Sequence, residues 1–154
     1  MEKATCQVCG REIKASTGLI AHHGYQRPYE GWQTSSCEGA RYVSYEVSCD
    51  RLQEVIEVMR NFITSQEEKL VVFLEIPPET ITVSEKRSAW AREEETVYEK
   101  PENFNPDSYK SSRPRTYENA YADRRYRYYQ TIKAAKADLS TMERRLREWH
   151  AVTV

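Results

Sequence analysis

Cys6-Gln7-Val8-Cys9-Gly10 can bring two thiolates to one metal ion, because two cysteines with two residues between them sit at the ends of a single tight turn. Gly10 suits the backbone reversal that such a knuckle needs. Thirteen residues separate Cys9 from His23, and thirteen more separate His23 from Cys37. Thiolate and imidazole are the donors that borderline-soft zinc favours, so Cys6, Cys9, His23 and Cys37 compose a complete tetrahedral set of three sulfurs and one nitrogen. Spacing fixes the knuckle but leaves the other ligands open. His22 is an alternative to His23, and so is Cys49, which falls at the expected start of a helix, a common place for zinc thiolates in treble-clef arrangements.

Catalytic zinc keeps an open position for water, whereas these four residues fill every corner. No His-Glu-x-x-His pattern supplies a general base. The expectation is a structural zinc ion, no catalytic residues and no enzymatic activity. Four cysteines without a secretory leader pattern also favour metal over disulfides.

The strings Cys6-Gln-Val-Cys-Gly-Arg11, Ile20-Ala-His-His-Gly-Tyr-Gln-Arg-Pro28 and Thr34-Ser-Ser-Cys-Glu-Gly-Ala-Arg41 resemble a family of small zinc-binding proteins found in bacteriophages and prophages. The similarity spans the first fifty residues or so. It departs at Tyr29-Glu30, where a glycine is expected after the Arg-Pro pair, a change in a turn and not in a ligand. The resemblance implies a metal-binding fold and a phage-like setting inside a bacterial host, and it implies no particular activity.

A second group with chemical potential is Arg124-Arg125-Tyr126-Arg127. Guanidinium groups pair with phosphates and tyrosine rings stack on unpaired bases, so these residues make nucleic-acid binding the alternative function. Against it, Tyr121 and Tyr128 fit a helix core and the arginines can pair with Glu118 and Asp123. Trp32 and Trp90 read as local core residues, and Glu93–Glu95 as a solvated face.

The chain has 154 residues, 31% of them charged, and a net charge of −1. That balance creates no global field to draw in nucleic acid. It conceals a gradient, since residues 111–154 hold 10 basic and 5 acidic side chains. No apolar run is long enough for a membrane span and no leader pattern opens the chain, so a cytoplasmic protein without membrane contact is expected.

The elements that must position these groups read as an α+β protein. Residues 1–49 form a small zinc-bound hairpin or treble-clef-like module, with short strands around Arg11–Lys14 and Leu19–Ala21, too small to fold on a core alone. Ser48 or Asp50 caps an amphipathic helix over 51–69, whose stripe of Leu52, Val55, Ile56, Met59, Phe62 and Ile63 must be covered. Leu70–Ile76, β-branched and nearly continuous, reads as a strand that pairs with Thr80–Val83, with continuation of the helix through Leu74 as the competing reading. The amphipathic helix and strands thus occupy 50–84, and a polar, proline-containing linker or loop occupies 85–114.

The last segment, 115–150, contains a helix with a heptad seam running from Tyr121 to Trp149. At about 50 Å it outreaches the 51–69 helix, so Ile132, Leu139, Met142, Leu146 and Trp149 are expected to form an interface with a second copy or another protein. The functional expectation is an accessory protein that works by protein–protein binding around a structural zinc, with a host defence or regulatory complex as its target.

Overall fold

The computed structural model describes residues 3–16, 18–24, 36–86, 92–108 and 116–150. Trp32, Trp90 and the Tyr29-Glu30 departure lie outside them. Two compact units divide the chain, Met1–Ile63 with Ala135–Val154, and Thr64–Ala134. The architecture is α+β, with two small antiparallel sheets and two long helices.

In the first unit, β1 (Lys3–Thr5) pairs with β2 (Glu12–Ser16), and β2 turns back onto β3 (Leu19–Ile20). The knuckle is the connection between β1 and β2, closed by the Gly10 N–H bonding to the Cys6 carbonyl at 2.9 Å and by the Cys6 N–H bonding to the Arg11 carbonyl at 2.9 Å. Gly10 takes the left-handed backbone there, at a φ of 70°, as the turn demands.

α1 spans Asp50–Glu75. Its start is capped by Ser48, whose Oγ accepts the Asp50 N–H at 3.1 Å. Gln7 adds a second cap: from a fully buried position its Oε1 accepts the Leu52 N–H at 3.3 Å, while its Nε2 donates to the Val43 carbonyl. The expected stripe is covered in part, with Leu52, Val55, Ile56 and Ile63 buried, Met59 half-buried and Phe62 exposed.

The expected strand over Leu70–Ile76 does not form, and α1 continues to Glu75. Leu70 and Phe73 extend the buried stripe of the same helix, and Phe73 stacks on Tyr121 with ring centroids 4.5 Å apart. That tertiary contact outweighs the β-propensity of a Val-Val pair, whose two members point outward. The strand pair lies further along: β4 (Thr80–Lys86) pairs with β5 (Glu93–Glu99) over seven matched positions. The polar stretch expected as linker therefore contains a strand, held by its ladder to β4 and by Tyr98, which packs with Ile81 and Val83 onto a cluster of Phe73, Tyr117, Ala120 and Tyr121.

α2 spans Tyr117–Arg147. Within the first unit Leu139, Met142, Leu146 and Trp149 pack on a cluster of Cys49, Leu52 and Ile56, and Arg60 of α1 pairs with Glu143 at 2.8 Å. Trp149 donates its indole N–H to the Tyr45 carbonyl at 2.6 Å. This packing leaves Leu139, Met142, Leu146 and Trp149 half-buried, so contacts within the chain cover part of the surface expected as an interface. At 26 residues α1 is roughly a third longer than the helix expected over 51–69, and so offers α2 more length to pack on. Ile132, the remaining member, is buried.

Candidate metal centre

Cys6, Cys9, His23 and Cys37 converge so that their ligand atoms all lie within 4.8 Å of one another. Cys6 Sγ and Cys37 Sγ are 3.9 Å apart, and Cys9 Sγ stands 3.2 Å from His23 Nε2. Zinc–sulfur bonds of about 2.3 Å put the corners of a tetrahedron about 3.8 Å apart, so the donor set fits a zinc-sized ion with little adjustment. Among the described residues this is the cluster of His, Cys and carboxylate groups that could hold a metal. A bound zinc would there supply cross-linking of three chain segments, the knuckle and the stretches carrying His23 and Cys37, and charge neutralisation of thiolates.

Each ligand is aimed by its own backbone. Cys6 and Cys9 sit on the knuckle, and β2 with β3 carries the chain from it to His23. The His23 ring is fixed by Nδ1, which donates to the Ala21 carbonyl at 2.9 Å and leaves the Nε2 lone pair facing the sulfurs. Cys37 is drawn up by its N–H, which donates to the His23 carbonyl at 2.8 Å. Gly39 makes room, because a Cβ at that position would collide with Cys6 Sγ.

Electrostatics divides the thiols. Burial pushes the Cys6 thiol up to about 12, against the backbone N–H groups of Cys9 and Val8. Burial also raises Cys9, but the Arg11 N–H and guanidinium together with His23 outweigh it and bring that thiol down to about 6. Arg11 is thus the positive group beside the site.

Neither substitute ligand belongs to the cluster. His22 is occupied at both ring nitrogens: Arg41 Nε donates to Nε2 at 2.8 Å, so Nδ1 carries the proton and donates to Ser36 Oγ at 2.7 Å. Arg41 reaches it from a left-handed backbone, at a φ of 67°. Cys49 is buried against Leu52 and Ile56, with its sulfur 3.6 Å from Gln53 Nε2, and burial raises its thiol as expected of an inert core residue.

Three supporting residues escaped the sequence reading. Gln7, inside the knuckle, bonds Leu52 and Val43. Arg51 donates to the Glu38 carbonyl at 3.0 Å and so ties the loop carrying Cys37 to the first turn of α1. Arg145 of α2 grips the back of the knuckle, bonding the Gln7 carbonyl at 3.2 Å and the Val8 carbonyl as well. No local pattern marks such residues, since their partners lie 13 to 138 positions away.

The arginine-tyrosine group divides between two faces of α2, Arg124 and Arg127 on one and Arg125 and Tyr126 on the other. Arg124 donates to the Thr82 carbonyl at 3.1 Å, while Arg125 lies 3.6 Å from Asp107 and 6.0 Å from the Tyr121 ring. Tyr126 and Arg127 are exposed. Among the described residues no helix is long and apolar enough to cross a membrane. No family model, curated protein or solved structure matches the chain.

Proposed function

We propose that Cys6, Cys9, His23 and Cys37 hold a structural zinc ion and that the chain is a non-enzymatic accessory protein that acts by binding another protein. The observation that carries this reading is the convergence of four soft donors, with His23 locked through Nδ1. Four protein ligands leave no corner for a substrate or an activated water. The phage-like setting, a host defence or regulatory complex as target and the bacterial cytoplasm as compartment rest on the resemblance of residues 1–50. Nucleic-acid contact by Tyr126 and Arg127, both exposed, is the second reading, and a steep loss of binding with rising salt would favour it.

Cobalt substitution tests the site. A closed four-coordinate set of three thiolates and one imidazole gives intense visible bands and sulfur-to-metal charge transfer, unchanged by added small anions. Weak bands of higher coordination, or bands that shift when an anion enters, would reveal an exchangeable position and overturn the structural assignment.

A further inference from the structure

β4 leaves one edge of its sheet open, and the parity of its hydrogen bonds says which residues face outward. The Lys100 N–H donates to the Glu79 carbonyl at 2.8 Å, and Ile81, Val83 and Glu85 are opposite Tyr98, Thr96 and Glu94. Those odd-numbered residues therefore spend their backbone groups on β5, and Thr80, Thr82 and Ser84 turn theirs away. The Arg124 bond to the Thr82 carbonyl agrees, since it arrives from the far side. Among the described residues no strand pairs with this edge.

Beside the edge runs a groove of about 350 Å³, bounded by Thr82 and Ser84 on β4 and by Ala120, Asp123, Arg124 and Arg127 on α2. Those helix positions recur at intervals of three and four, so they form one stripe facing the strand. The stripe is about 10 Å long, which matches three or four residues of extended chain. Ala120 keeps the wall low. Two arginines against one aspartate make it positive.

We propose that this groove binds an extended acidic peptide segment of a partner protein, which adds to β4 as a third strand and places its carboxylates on Arg124 and Arg127. Main-chain bonds to Thr80, Thr82 and Ser84 give the affinity and the arginines select the charge. Arg124, which now covers the Thr82 carbonyl, releases it to the incoming strand and turns to a carboxylate. A second copy docking β4 on β4 brings the same two arginines to the contact, like charge against like, which argues for a different, acidic chain. The proposal rests on the protein-binding reading above, but its surface belongs to the Thr64–Ala134 unit and uses no metal ligand.

The test is titration of the full zinc-loaded chain with a capped peptide of about eight residues alternating valine and glutamate, followed by backbone amide NMR. Expected are shifts at Thr80, Thr82 and Ser84, loss of binding when alternate peptide nitrogens are methylated, and weakening by about tenfold with Arg127→Glu, an exposed change that spares the fold. A valine-lysine peptide should not compete. Equal binding of the lysine peptide, indifference to methylation, displacement of the peptide by a single-stranded oligonucleotide, or a peptide-free dimer joined through β4 would each overturn it. Failure here leaves the cobalt spectrum of the metal site unchanged, so the two readings fall separately.

Discussion

Cys6 and Cys49 are both buried thiols, yet only Cys6 faces three other donors. Cys6→Ser is therefore expected to lose the metal, whereas Cys49→Ser and His22→Ala should retain about one zinc per chain. Metal analysis of the three purified variants checks this. The donor types and the knuckle were legible from spacing alone. The choice between adjacent histidines was not, because it depends on Ser36 and on Arg41 in its left-handed backbone, which together occupy His22.

The two perturbed thiols also set a pH signature. Zinc takes thiolates, so at about pH 7 binding must expel the proton from Cys6, whose thiol stands near 12, while Cys9, near 6, is already mostly ionised. Lowering the pH protonates Cys9 as well and weakens binding further. Zinc titrations by calorimetry in buffers of different ionisation enthalpy should show proton release at about pH 7, and affinity should fall as pH falls. An affinity independent of pH would contradict the ligand set.

At the scale of elements, periodicity found both helices but misjudged where the first one ends. Leu70-Val71-Val72 carries a strand's composition, and the partners that hold Phe73 on a helix, Tyr121 and Tyr128 among them, lie far along the chain. β5 was hidden for a similar reason: Glu93-Glu94-Glu95 has no apolar alternation, and its pairing is dictated by β4. The C-terminal seam packs in part on α1, and Leu139, Met142, Leu146 and Trp149 keep the rest of their surface exposed. Ile56→Ala should cost on the order of 2–4 kcal/mol in chemical denaturation, as a cavity beneath Leu52 and Leu139 would. Asp at both Leu139 and Leu146 sets charge against the cluster of Cys49, Leu52 and Ile56, so the double variant should destabilise the unit formed by Met1–Ile63 and Ala135–Val154. A folded double variant of undiminished stability but altered oligomeric state would instead make the seam an outside interface.

For the molecule as a whole, residues 3–16, 18–24 and 36–49 offer three short strands and few buried apolar side chains, and the knuckle is gripped by Arg145 and capped onto α1 through Gln7. A zinc ion bound by Cys6, Cys9, His23 and Cys37 would add a cross-link to these contacts, where the segment's own apolar core is small. Strong chelation should raise hydrogen exchange across residues 3–24 and 36–49, while the β4–β5 ladder of the other unit stays protected. The central claim is that a zinc ion is part of the native fold, and metal analysis of freshly purified, folded wild-type protein meets it most directly. The account predicts about one zinc per chain, removed only with loss of structure around Cys6, Cys9, His23 and Cys37; folded protein carrying well under one equivalent, with those residues still ordered, would contradict it.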